Sequence, residues 1–188
     1  MKKVLTLCVS ILVAAAVVAQ PTAKSVMLGG HVSLTNVKLE HSKESNLSYT
    51  LAPSVGFMID DNTSLGLDLS FAKSIEEVMI DFDYYTLEYE TTSIGPFVRH
   101  YSRLGSDNFY FISQGGVQIG SVKYESSPSV SITRIYFSPG FGYFFNESWS
   151  LDIMLSGINY TLVEDSYNQL EIGANFLSPA LGLRFFIE

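Results

Sequence analysis

The sequence predicts an all-β fold: eight antiparallel strands joined up-and-down into a transmembrane barrel, preceded by a cleaved signal peptide. Three observations carry this expectation. Apolar residues alternate with small or polar ones along most of the chain, as they do in strands with two unlike faces. The segments between these runs are short and long by turns. Lysine is confined to the ends of the runs or to the connections.

Composition narrows the class first. The chain has 188 residues, one domain's worth, with Lys+Arg 11 against Asp+Glu 19 and a net charge of −8. That balance argues against a nucleic-acid partner. Only 16% of residues are charged, against about 25% in an ordinary soluble domain. At 47% hydrophobic the chain is also too apolar for a disordered acidic protein.

The first segment reads as an export signal. Lys2 and Lys3 precede an apolar run over 4–19 that ends in Val17-Val18-Ala19, with small residues at the positions a signal peptidase requires. The run falls short of the roughly 18–20 residues a membrane-spanning helix needs. Cleavage after Ala19 divides the chain into a signal peptide over 1–19 and a barrel domain over 20–188. It removes Cys8, the only cysteine, so neither disulfide nor thiol chemistry is expected afterwards. Loss of Lys2 and Lys3 takes the net charge from −8 to −10.

The strands follow in order. A weak alternation occupies 25–36. The second strand sets Tyr49, Leu51, Pro53, Val55, Phe57 and Ile59 against Ser48, Thr50, Ala52, Ser54 and Gly56. The third sets Leu65, Leu67, Leu69 and Phe71 against Gly66, Asp68, Ser70 and Ala72. Weaker runs over 87–101 and 109–122 supply the fourth and fifth. The sixth opposes Ile135, Phe137, Pro139, Phe141, Tyr143 and Phe145 to Ser138, Gly140 and Gly142. The seventh opposes Trp149, Leu151, Ile153 and Leu155 to Ser150, Asp152 and Ser156. The eighth opposes Leu181, Leu183, Phe185 and Ile187 to Gly182, Arg184 and Glu188. Near residues 92–94, at Gly157 and near 176–177 the apolar set changes parity. Either a bulge absorbs each shift or the strand ends project beyond the membrane.

Connections over 60–63, 103–108 and 146–148 read as tight polar turns; those over 38–46, 73–86, 123–131 and 162–169 are mostly longer. Alternate short and long connections with an even strand count are the organisation of an outer-membrane barrel, with both termini on the periplasmic side.

Alternation alone does not say which face points outward, and a soluble ligand carrier of lipocalin type would alternate too. Beyond the signal segment lysine occurs only at Lys24, Lys38, Lys43, Lys73 and Lys123. A wall in water would carry Lys and Glu along its length. Small polar residues instead suit the crowded interior of an eight-stranded barrel. Aromatics fall into two belts as well: Tyr101, Phe109, Phe111, Tyr143, Phe145, Trp149 and Phe185 near the short turns, and Tyr49, Tyr84, Tyr85, Tyr89, Tyr124, Tyr136, Tyr160 and Tyr167 toward the long loops.

The stretch Pro139-Gly-Phe-Gly-Tyr-Phe-Phe-Asn-Glu-Ser-Trp149-Ser-Leu-Asp and the ending Leu-Ser-Pro-Ala-Leu-Gly-Leu-Arg-Phe-Phe over 177–186 resemble the small eight-stranded outer-membrane barrels of Gram-negative bacteria, the OmpX-like and OmpA-barrel-like group. The resemblance covers the whole mature chain and lies in pattern more than in a diagnostic motif. It implies an outer-membrane location, lipids and lipopolysaccharide as surroundings, and the barrel assembly machinery as a partner. Such families usually end on an aromatic residue; here Ile187 and Glu188 follow Phe186. No wall-binding domain follows the barrel, so an OmpA-type wall anchor is not implied.

Chemistry-bearing motifs are scarce. His31, His41 and His100 lack zinc-ligand spacing, and no nucleotide-binding or nucleophile-elbow motif occurs. No catalytic residue, cofactor or metal is expected. On the small-residue face His31, Asp68, Asp152 and Arg184 would point into the lumen, joined by Arg99, Glu88 and Glu90 if the fourth strand shifts phase. An unpaired interior charge is costly, so Arg184 is expected to meet Asp152 or Asp68 in a structural polar network. The connection after the third strand holds Glu76, Glu77, Asp81, Asp83, Tyr84 and Tyr85, read as a solvated acidic rim whose acids could also collect divalent cations near lipopolysaccharide and whose tyrosines could serve as a contact surface. The leading expectation is therefore a non-enzymatic barrel that supports the envelope or presents loops to an extracellular partner. A lipid A-modifying barrel enzyme, a lipocalin-like carrier and a narrow channel stand as alternatives.

Overall fold

In a computed structural model, the described residues are 23–37, 45–80, 83–105, 108–125, 127–164, 167–173 and 179–188. The signal segment over 1–19 lies outside them. Ten strands are present: β1 (Val26–Val37), β2 (Asn46–Met58), β3 (Thr63–Ile80), β4 (Asp83–Arg103), β5 (Phe109–Tyr124), β6 (Val130–Asn146), β7 (Trp149–Met154), β8 (Ile158–Val163), β9 (Asn168–Ile172) and β10 (Ala180–Ile187). They make eight crossings, because β7 and β8 are two halves of the seventh and β9 and β10 two halves of the eighth. Every pairing is antiparallel; β1 pairs β10, β10 pairs β7, and β5 pairs β6, so the sheet closes on itself. Closure removes most of the exposed edge that an open sheet would leave; among the described residues β9 pairs on one side only, with β8.

Burial is inverted relative to a soluble protein. Leu28, Leu67, Ile119 and Leu183 stand 41–60% exposed on the outside. Asp68, Arg99, Asp152 and Arg184 are at most 1% exposed, inside. Only a solvent apolar on the outside makes this arrangement favourable, and a bilayer is such a solvent.

Turns at one end are tight. Asp60 accepts the Asn62 N–H at 2.7 Å, Asn146 accepts the Ser148 N–H at 2.9 Å, and Gly105 adopts φ +68° between β4 and β5, a conformation that costs glycine least. At the other end two strands run on. β3 and β4 hold one unbroken register from Thr63↔His100 to Ile80↔Asp83, so most of the connection expected over 73–86 is ladder rather than loop. Ile75, Val78, Ile80, Tyr84, Tyr85 and Thr86 are β-branched or aromatic, which favours the extended backbone there.

The same register corrects the expected slip at 92–94: β4 carries no bulge. Its outward row passes from Val98 and Ile94 to Glu90 and Glu88, and the outward row of β3 passes from Phe71 to Lys73. The parity of apolar residues changes because the strands leave lipid for water. Lys73 pairs there with Glu88 and, at 3.4 Å, with Glu90, so both glutamates lie outside rather than in the lumen. A real shift does occur near Gly157. β7 pairs β6 through Gly140↔Met154, whereas β8 pairs it through Phe137↔Ile158. One extra residue sits between, and the inward row changes from Ser150, Asp152 and Met154 to Asn159 and Thr161. The third expected shift, at 176–177, lies outside the described residues.

Candidate functional site

The lumen is built in layers. Nearest the tight turns, Met27, Met58, Phe97, Tyr101, Tyr110, Ile112, Phe144 and Phe186 pack into one buried cluster. The Phe144 ring stands edge-on to Tyr110 at 5.0 Å and to Tyr101 at 5.6 Å, and tilts against Phe186 at 5.5 Å. Tyr101 therefore belongs to the lumen, not to the outer belt of aromatics expected at this end. That belt is formed by Phe109 stacked on Phe141, Tyr143 against Phe145, and Trp149 against Phe185.

A charged layer lies above. Asp152 Oδ2 accepts from Arg99 Nη1 at 2.5 Å and from Arg184 Nε at 2.6 Å, while Oδ1 accepts from Ser150 Oγ at 3.1 Å. Arg184 Nη1 also donates to Ser54 Oγ at 2.7 Å. Arg99 Nε donates to Gln114 Oε1 at 2.8 Å, and Gln114 Nε2 passes the chain to Asp68 Oδ2 at 2.8 Å. Tyr136 OH donates to that same oxygen at 2.8 Å. The structure thus brings Asp68, Arg99, Asp152 and Arg184 into one network: two guanidinium groups and two carboxylates, formally neutral. Among charges wholly withdrawn from water, neutrality and nearly complete hydrogen bonding are what make the layer tolerable. His31 lines the lumen above it, its Nδ1 buried without a hydrogen-bond partner among the described residues.

Sequence reasoning missed Gln114, which links Asp68 through Arg99 to Asp152, and Tyr136, which bonds both Asp68 and Gln114. Gln114 lies on a weakly alternating strand, but it pairs Arg99 and Ser138 across the ladders, which puts it on the small-residue face. Tyr136 shares parity with Ser138 and Gly140. Its aromatic character suggested the outer belt; its parity was the better guide.

The acidic residues of the extended hairpin lie apart from this network. Glu76 accepts from Tyr89 OH at 2.7 Å, the Glu77 N–H donates to Asn46 Oδ1 at 2.8 Å, and Tyr85 is 53% exposed. Asp83 and Tyr84 are placed by their backbone in β4, paired with Ile80 and Met79. Asp81 lies outside the described residues. Among the described residues no group of three or more His, Cys, Asp or Glu side chains is arranged to hold a metal ion.

Comparison with known proteins agrees with this architecture. The chain is similar in fold to Neisserial surface protein A, with a TM-score of 0.53 at 13% identity over 86% of this chain and 94% of that one. It is also similar to the N-terminal β-barrel domain of Pseudomonas aeruginosa OprF, with a TM-score of 0.50 at 10% identity over 88% of this chain and 98% of that one. No curated protein sequence matches it significantly. The sequence pattern of the family described as the outer membrane protein beta-barrel domain matches residues 5–185. With an apolar exterior, a closed antiparallel ring of eight crossings and a match over nearly its whole length, the chain belongs to the outer membrane protein beta-barrel domain family.

Proposed function

We propose that this outer-membrane barrel works without catalysis, as a closed wall element that carries its β3–β4 hairpin outside the cell as a contact surface. The length of that hairpin carries the reading. A tilted strand crosses the hydrocarbon in about 9–11 residues, whereas β3 has 18 and β4 has 21. The surplus lies beyond Lys73 and holds Glu76, Glu77, Tyr85 and Tyr89, acids and amphipathic rings of the kind that contact surfaces use. Lipopolysaccharide would surround the rim at Lys73 and Tyr49, and the barrel assembly machinery would receive the chain after removal of residues 1–19.

The experiment is complementation of a strain lacking the protein. A variant in which the hairpin is shortened by removing 77–86 is expected to reach the outer membrane with heat-modifiable gel mobility and to restore detergent resistance, but not attachment to surfaces or cells. Equal attachment by both forms would refute the contact role. A change in lipid A mass on expression would show instead that the barrel is an enzyme.

A further inference from the structure

Above the charged layer the lumen is not filled. A cavity of about 440 Å³ opens toward the end with the extended hairpin, and His31, Asp68, Gln114 and Tyr136 form its floor. Two polar atoms of that floor, Asp68 Oδ1 and His31 Nδ1, are buried and lack a hydrogen-bond partner among the described residues. Asp68 receives Gln114 and Tyr136 through Oδ2, so Oδ1 is an acceptor the structural network does not use. Such an acceptor is satisfied only by a donor that enters the cavity, from water or from a solute.

The lining indicates what would fill the place. Its apolar part is limited to Met154, Leu155 and Ala180, too little for an apolar ligand, while hydroxyls such as those of Ser33, Thr50, Ser70 and Ser138 dominate the wall. Hydroxyls both donate and accept, and so match a solute that does the same. Asp68 and Glu171 oppose Arg134 in the lining, and Arg99 and Arg184 oppose Asp152 beneath it. With His31 neutral these formal charges cancel, which favours neither a cation nor an anion. We propose that the cup binds a small neutral polyhydroxylated solute of monosaccharide size from the outside, one of whose hydroxyls donates to Asp68 Oδ1. The packed aromatic layer below makes it a dead-end site, and it is independent of the hairpin contact role.

The test is saturation-transfer NMR on the folded barrel in phospholipid nanodiscs, with D-glucose as probe and choline and gluconate as charged comparators. Transfer to the glucose ring protons is expected, with weaker or no transfer to the charged pair. Asp68→Asn keeps the side-chain shape and should weaken glucose binding about tenfold, the loss of one charge-assisted hydrogen bond. Ser70→Trp should fill the cup and abolish transfer, with heat-modifiable mobility reporting that the variant folds; Ser138→Leu serves if it does not. The hairpin-shortened variant should bind glucose as the full chain does. The proposal is overturned by absence of transfer to glucose, by transfer undiminished in a folded cup-filling variant, or by tighter binding of choline or gluconate.

Discussion

Asp152 holds two arginines at once. Both of its neighbours are withdrawn from water, and Oδ2 receives a donor from each. Replacing it by alanine leaves two guanidinium groups buried against a single remaining carboxylate, Asp68. Removing one partner of a buried ion pair typically costs about 3–5 kcal/mol, and Asp152→Ala should lie at or above the upper end of that range. Urea unfolding of the barrel in lipid vesicles measures it; an unchanged midpoint would mean that water reaches the layer. Asp60, in the first tight turn, makes a smaller and pH-dependent contribution. The Asn62 backbone N–H bonded to its carboxylate holds its pKa below the usual carboxylate value. A depressed folded-state pKa gives stability that is full above the unfolded value and is lost as pH falls through the folded one. Asp60→Asn should therefore be less stable than the parent at pH 6, with the difference shrinking as the pH is lowered through the carboxylate range. A difference that is constant with pH would assign the effect to turn shape rather than charge.

Strands record their surroundings on both faces, and that decides what can be read from sequence. In β3, Leu65, Leu67, Leu69 and Phe71 face lipid while Asp68 and Ser70 face the lumen, so parity alone identifies the inward carboxylate. In β4 the outward row crosses from lipid to water at Glu90, and the parity of its apolar residues changes without any change in pairing. A bulge and a water line leave the same mark in one strand's sequence. Only the partner strand separates them, as Lys73 does here by meeting Glu90 across the ladder. The inward aromatics were hidden for another reason. Phe97 lies over Gly66, where an added Cβ would fall 2.5 Å from its ring, so the ring's space comes from a residue on the neighbouring strand. Depth along the lipid row has an energetic consequence. Arginine on the lipid face costs about 2–4 kcal/mol at the midplane and about 0–1 near an interface. Leu67→Arg should thus lower the unfolding free energy in vesicles far more than Phe71→Arg, four residues nearer Lys73. Equal losses would mean that the water line lies elsewhere than at Lys73.

At the scale of the whole barrel, the order of layers along the lumen determines whether anything passes. The cup at the outer end leads down to the Arg99–Asp152–Arg184 layer, and beneath that lie the rings of Tyr101, Tyr110, Phe144 and Phe186. Each layer blocks the path by a different means, one through ion pairs and hydrogen bonds, the other through close packing of apolar surface. A substitution in the lower layer should accordingly weaken the protein without opening it. Phe144 touches three other rings, and truncating a buried phenylalanine to alanine costs about 3–5 kcal/mol through lost burial and the cavity left behind. Phe144→Ala should show that loss in urea unfolding, yet planar bilayers containing either the parent or the variant should give no conductance steps, because the guanidinium layer still stands above the new void. Steps in the variant alone would show that the aromatic cluster is the true seal and the ion pairs are wet. Steps in the parent would mean that both layers open together, and the cup would then be the mouth of a pore rather than a closed site.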